Sequence, residues 1–372
     1  MFKIRYVIFV LLALAACQSD QRSEALLFIH DGVQYEVPTV YQVDTSNLGN
    51  PTVQEEISLE PTLVVGGDES ELFMHAGIVR TTDDGSIFVL DYGDLDVKVF
   101  DQQGNLKRTV GEGAGEGPGE FRQVGRFDVH PESGELYITD RGRRLVAAFD
   151  DEGDFRWHSA AYAFSIPSEV VATDDQVVAF QPRHGQPYVF TRYSQEGDSL
   201  GMAGRLLHEE MNELPFRGSR AFHYSGHLLA DGEGGYILAP NRLPHVLRFD
   251  QNHDLMYARV LRTEASPPVV EVEETEVGGR TTTFVGFEDN TPVTTYTLHR
   301  VGPYIVTMTG KEGDTYVFDA YFLADGLYAF SFEADLPTAD MQSIYMDDDR
   351  LYFVEWNRVS VYSHDLMQVA DR

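Results

Sequence analysis

The sequence predicts an all-β chain closed into a six-bladed β-propeller, and three observations carry that expectation. The residues after position 25 fall into short runs rich in β-branched and aromatic side chains, bounded by Gly, Asp, Asn or Pro, as at 87–90, 97–100, 136–139, 177–180, 236–238, 246–249, 304–308, 316–318 and 351–354. No long run with a 3.6-residue apolar period interrupts them. These runs also recur as a unit. Asp84-Gly85-Ser86-Ile87-Phe88-Val89-Leu90-Asp91, followed by Val97 to Leu106, aligns with Ser133-Gly134-Glu135-Leu136-Tyr137-Ile138-Thr139-Asp140, followed by Val146 to Phe155, every position offset by 49. Finally, looser copies begin near Asp174, Gly234, Tyr304 and Asp349, which makes six units, or about 53 residues each over 57–372.

A unit of turn, strand, turn, strand matches a propeller blade, a four-stranded sheet whose two faces are buried only against its neighbours. The run Ile57-Ser58-Leu59-Glu60-Pro61-Thr62-Leu63-Val64-Val65 precedes the first unit, so it is the N-terminal strand expected to close the ring by joining the last blade. The composition suits a packed fold: of 372 residues 42% are hydrophobic and 12% aromatic, which excludes a disordered chain. Sixty acidic against 28 basic side chains leave a net charge of -32, which repels nucleic-acid phosphates and excludes nucleic acid as a partner. Only four of the basic residues are lysines (Lys3, Lys98, Lys107 and Lys311), and an acidic, lysine-poor composition matches a protein of saline surroundings as well as a merely acidic exported one.

The N-terminus reads as an export signal. Lys3 and Arg5 precede an uninterrupted apolar and small-residue run of 11 residues, Tyr6 to Ala16, and Leu14-Ala15-Ala16-Cys17 closes it. That run is about half the roughly 20 residues needed to cross a bilayer as a helix. Residues 1–17 are therefore read as a signal peptide, 18–56 as a tether and N-terminal extension, and 57–372 as the propeller. Cys17 is the only cysteine, so the mature domain has no disulfide, thiolate nucleophile or cysteine metal ligand.

Two resemblances follow from these residues. Leu14 to Cys17 resembles the lipobox of bacterial lipoproteins, which implies lipidation of Cys17 and anchoring to a membrane through the lipid alone, on the outer membrane or facing the periplasm. Gly111-Glu112-Gly113-Ala114-Gly115-Glu116-Gly117-Pro118-Gly119-Glu120-Phe121, with Gly125 to Val129 and Leu136 to Asp140 behind it, resembles the NHL-repeat inter-blade signature and the bacterial six-bladed β-propeller lipoproteins that share it. The likeness covers residues 70–155 closely and fades where insertions at 205–222 and 263–300 break the period. Read by itself the glycine run is a structural turn, because it lacks phosphate-loop spacing, is interrupted by Pro118 and leads into no helix.

Catalytic motifs are scarce: no His-Glu-x-x-His occurs, and Gly197-Asp198-Ser199-Leu200-Gly201, which has the Gly-x-Ser-x-Gly spacing, leads into no helical run and so is not read as a nucleophile elbow. Asp91 and Asp140, at equivalent places after a strand, read as turn caps. The positions just before each blade's innermost strand are expected to line the axial mouth, and their polar members His75, Arg126, Glu169 and His227, with Ser343 and His299 behind them, are the candidate ligand-binding residues. The insertion at 263–300, carrying Glu271, Glu273, Glu274 and Glu276, reads as a flap over one face or as a solvated acidic loop. The sequence implies no cofactor and leaves calcium or another divalent metal at the axis open. The preferred function is a monomeric module binding a protein, peptide or glycan; the alternative is a metal-dependent hydrolase or lyase acting at the axis.

Overall fold

The computed structural model describes residues 25–30, 33–38, 60–67, 71–162, 165–182, 188–205, 225–262, 270–277, 280–287, 293–312, 314–336 and 341–369. Cys17 and most of the insertion at 205–222 lie outside them. Six four-stranded antiparallel sheets form the ring. Blades one to five take up residues 76–110, 124–158, 169–205, 226–260 and 297–335, each in sequence order from the axis outward. Blade six contributes three strands from residues 341–363, and its outermost strand is Leu63–Gly66 from the N-terminal side. Val65 pairs with Val359 and Leu63 with Val361, and the Thr62 amide donates to the Val361 carbonyl at 2.7 Å. The ring is closed by the expected strand.

The alternation of side chains along a strand explains why these sequences look apolar at almost every position. In the second strand of blade one, Phe88 and Leu90 face blade two while Ile87 and Val89 face blade six. The second strands of blades one to four, Ile87–Asp91, Leu136–Asp140, Gln176–Phe180 and Tyr236–Pro240, are accordingly buried along their whole length, whereas the outermost strand of blade one, Leu106–Val110, is largely exposed. Six separate apolar clusters result, one at each seam between neighbouring blades. The last of them joins Val65, Val354, Val359 and Val361 to Ala76, Val79 and Phe100, so closure is made by packing as well as by backbone pairing.

The repeat at offset 49 has a local cause. Asp101 accepts the amides of Gln103 and Asn105, Asp150 those of Glu152 and Asp154, and Asp250 those of Asn252 and Asp254, all between 2.8 and 3.1 Å. Each turn also needs a left-handed residue, which Gly104 and Gly153 supply at φ 81° and 93°; in blade four His253 takes that place at 68°. The glycine-rich run is likewise a structural loop. It carries the chain from blade one to blade two, Glu120 folds back to accept the Gly117 amide at 2.6 Å, and Phe121 is buried against Phe149.

Three features lie outside the ring. Within the N-terminal extension, Ala25–His30 and Val33–Pro38 form a hairpin, and the second of these strands runs parallel to Leu255–Val260 on the outer edge of blade four. The acidic insertion contains a second hairpin, Val270–Val277 paired with Arg280–Phe287. A four-residue helical turn, Leu366–Val369, follows blade six, and among the described residues no helix is long and apolar enough to cross a membrane.

Candidate functional site at the axial mouth

The first strands of neighbouring blades contact one another around the axis, and all six enter the ring from the same face. Several are irregular at that end. The register shifts between Ala76 and Ile78 in blade one, between Val124 and Phe127 in blade two, and between Met341 and Ser343 in blade six. Such bulges re-aim side chains at the rim of a sheet. In blade two the irregular stretch is Gly125-Arg126, held by Thr139, whose hydroxyl accepts the Arg126 amide at 2.8 Å and donates to its carbonyl at 3.1 Å.

A cleft of about 490 Å³ opens there. Blades one to four supply its walls: Tyr92 and Leu95 from the first, Gln123 to Arg126 and Arg141 from the second, Ser168 and Glu169 from the third, Ser225, Gly226 and Asn241 from the fourth. Arg126 reaches across the seam to Glu169, Nε to Oε1 at 3.2 Å. Burial disfavours the Glu169 carboxylate more than the guanidinium groups of Arg126 and Arg80 favour it, and its pKa is pushed up to about 7. Tyr92 donates its hydroxyl to the Gly125 carbonyl at 3.1 Å, and burial raises its phenol pKa. Arg141 is exposed and makes no ion pair among the described residues.

Below the cleft the axis is polar, and several of its groups bridge neighbouring blades. Arg80 pairs with Asp128 at 3.2 Å, and the other oxygen of Asp128 accepts the Ala172 amide at 2.9 Å, so one buried carboxylate links blades one, two and three. His299 accepts the Met346 amide at 3.2 Å, joining blades five and six. These contacts hold the inner strands together.

Of the four candidate residues, the structure brings Arg126 and Glu169 together in the cleft. His227 follows the cleft residue Gly226 on the first strand of blade four, where loss of hydration, with Arg126 and Arg80 adding to it, pushes its pKa down to about 3. It is a neutral imidazole at the axis. His75 lies outside the cleft, behind Tyr92, with the two rings 5.5 Å apart. Its backbone amide donates to Asp91 at 2.8 Å, and its ring stacks on Trp356 at 3.7 Å.

Tyr92, Arg141 and Asn241 were not singled out in the sequence, although one signal pointed to the first two. They follow Asp91 and Asp140, so they occupy the same place in the 49-residue repeat.

Asp91 and Asp140 cap turns, as expected. Asp140 accepts the amides of Arg122, Gln123 and Arg143 at 3.0 to 3.3 Å. Asp91 accepts those of Met74, His75, Gly93 and Asp94 at 2.8 to 3.2 Å. Asp91 also belongs to the one group of carboxylates and imidazoles among the described residues close enough to share a metal ion, with Asp94 and Asp96, their oxygens all within 4.8 Å. A side chain already fills that place. The Lys98 ammonium lies 3.0, 2.7 and 3.0 Å from the three carboxylates. Burial works against the charged amine, but the three acids outweigh it and push its pKa up to about 12. Burial likewise opposes the Asp91 carboxylate, and here Lys98 and the amides of Met74 and His75 prevail and hold its pKa down; at Asp96 burial wins and the pKa rises.

A family model described as a 6-bladed beta-propeller matches residues 63–200. Among solved structures, a Bacteroides fragilis protein described as exported superposes with a TM-score of 0.54 at 10% identity, over 82% of this chain and 94% of that one. A DUF4221-family member from Bacteroides vulgatus gives 0.54 at 8% identity, over 84% and 99%. At such identities the likeness shows the fold alone. No curated protein sequence is detectably similar to the chain. Sheet topology, family model and superpositions agree on the class: the chain is a six-bladed β-propeller.

Proposed function

We propose that the chain is an exported, lipid-anchored propeller that binds an anionic group, presented by a protein, peptide or glycan, in the cleft at its axial mouth. One observation carries this reading: two guanidinium groups, Arg126 and Arg141, share a polar cleft with a single carboxylate, in a chain whose net charge is -32. Arginine forks match carboxylates in charge and geometry, and rigid blades behind the loops hold them in place. Export and anchoring rest on the apolar segment and Cys17, supported by the fold shared with a protein described as exported. The NHL-like loop at residues 111–121 is consistent with the lipoprotein resemblance.

Glu169 competes with an incoming anion for Arg126. As pH falls through about 7 its carboxylate takes up a proton and Arg126 is released, so anion binding strengthens toward acid. The test is binding of the mature chain to arrays of acidic and neutral peptides and glycans. Arg126→Ala and Arg141→Ala are each expected to weaken the strongest acidic hit at least tenfold, and the exposed, unpaired Arg141 should be lost without lowering the melting temperature. Wild-type binding by both variants sinks the reading.

A second reading, a metal-dependent hydrolase or lyase at the same axis, draws on Glu169 first. A carboxyl group that titrates near neutral pH inside a cleft suits a general acid or base. Glu169 and His227 are then the residues at the mouth of the kind that ligate a divalent ion. Turnover of a bound ligand that disappears in Glu169→Gln while binding persists would favour it.

A further inference from the structure

We infer that Trp356 and His75 form an aromatic subsite continuous with the cleft, and that the ligand is an oligosaccharide bearing a carboxylate, a uronic-acid oligomer. The inference rests on the cleft being the binding site and adds to it the ligand's chemical class.

Trp356 occupies the tight turn between Arg350–Glu355 and Arg358–Ser363 of blade six, and it is 52% exposed. Its position is fixed from several sides. The Trp356 carbonyl accepts the Ala76 amide at 2.8 Å, the Asn357 carbonyl accepts the Gly67 amide at 3.0 Å, and Arg358 clamps Glu355 across the turn at 2.6 and 2.7 Å. One face of the indole lies on the His75 ring, 3.7 Å away and 14° from parallel. His75 is held in turn by Gln342, Nε2 to Oε1 at 3.1 Å, and meets Tyr92 edge-on. Tyr92 lines the cleft and bonds to Gly125, the neighbour of Arg126. An ordered row of three rings thus runs from the exposed rim into the site.

The chemistry of the row and the cleft selects the ligand. Apart from Leu95, Val124 and Tyr92, the walls present hydroxyl, amide and guanidinium groups and the one carboxylate of Glu169. They lack the deep apolar pocket into which an anchoring peptide side chain is usually sunk. Beside the cleft, Trp356 offers a flat, half-exposed indole. A pyranose ring has the complementary character: C–H groups on its faces to cover an aromatic ring, hydroxyls on its rim for Ser168, Ser225 and Asn241, and in a uronic acid a carboxylate for the arginines. Trp356 belongs to blade six and Arg141 to blade two, so the two are assigned to different units of one oligomer.

The experiment is calorimetric titration of the mature chain with tetramers of galacturonate, mannuronate and guluronate, a hyaluronan tetrasaccharide, monomeric galacturonate and glucuronate, neutral cellotetraose and tetraglutamate. At least one acidic tetrasaccharide is expected to bind tenfold or more tighter than its monomer, cellotetraose and tetraglutamate. Trp356→Ala should weaken that tetrasaccharide at least tenfold and leave the monomer within twofold, and Arg141→Ala should weaken both. A tetrasaccharide that binds Trp356→Ala as well as wild type overturns the aromatic subsite, while the cleft reading stands if Arg141→Ala still loses affinity. Tighter binding of tetraglutamate through Arg141, or no uronate binding at all, overturns the saccharide assignment. If the arginine variants bind every probe as wild type does, it is the cleft reading that fails.

Discussion

Lys98→Met removes one cation from the middle of three acids, and its consequences follow from the geometry. Asp91 and Lys98 are buried, and the three carboxylates lie within 4.8 Å of one another. Two unit charges at that separation repel by about 3.5 kcal/mol at an effective dielectric constant of about 20, before water and protonation relax the site. Deleting one partner of a buried ionic group typically costs about 3–5 kcal/mol, because the remaining charge loses its counter-ion but stays buried. At roughly 2 °C per kcal/mol for a chain of this size, the melting temperature should fall by about 6–10 °C. The same variant turns an internal ion group into an oxygen cage. Calcium takes carboxylate oxygens, and a ligand at 100 times its dissociation constant returns about 2.7 kcal/mol, so calcium should recover about 5 °C in the variant and leave wild type unmoved. Differential scanning fluorimetry with and without calcium reads both effects. A variant melting within about 2 °C of wild type, or a calcium shift equally large in wild type, refutes the role given to Lys98.

Acid should weaken the fold through its buried histidines. Burial pushes the His245 pKa down to about 4 and that of His299 well below the ordinary value, so the folded state binds fewer protons than the unfolded chain; this contribution is complete above about pH 6.5 and lost as pH falls toward 4. For His245 the difference amounts to about 3 kcal/mol, and denaturant titrations at pH 7 and pH 4 should show His245→Gln losing less stability than wild type by that amount; equal losses count against it. Ring closure is tested by a pair of neighbours: Val65→Asp drives a charge into the seam between blades six and one and should lower the melting temperature and promote aggregation, whereas Val64→Asp, at a position 48% exposed, should change little, and similar melting of the two variants would remove closure by this strand. Cys17→Ser should release the exported chain from the membrane fraction, and undiminished membrane retention rules out the lipid anchor.

What was legible in the sequence is what depends on neighbours in sequence. The offset of 49 arises because Asp101 and Asp150 cap turns two to four residues away, and because the strands beside them must be apolar on both faces; both demands fall within one unit. The closing strand was legible for a related reason, since the apolar run around Val65 had no partner in the first unit. The cleft was harder. Its walls come from four blades and from positions as far apart as Tyr92 and Asn241, and nothing about Ser168 or Asn241 in its own segment distinguishes it from another loop residue. His75 shows the limit from the other side. Its place ahead of an inner strand is as read, but Asp91 holds its backbone and Trp356, from the far end of the chain, holds its ring, so it faces the rim rather than the cleft. The N-terminal hairpin on blade four follows from pairing across more than 200 residues, which no local pattern records.

The charge distribution ties the cleft to the rest of the molecule. A net charge of -32 repels anions at long range, yet in physiological salt that repulsion is screened over about 8 Å, while a guanidinium in direct contact with a carboxylate is hardly screened at all. An anion therefore gains nothing from approaching this surface except where a cation is free to meet it. Most of the described cations near the mouth are already engaged: Lys98 is enclosed by three acids, Arg80 is paired with Asp128, and Arg143 lies against Asp140 at 3.3 Å. Arg141 stands apart from these, and Arg126 joins it whenever Glu169 is protonated. In so acidic a chain, anion recognition depends less on how many arginines face the solvent than on which of them the carboxylates leave unpaired.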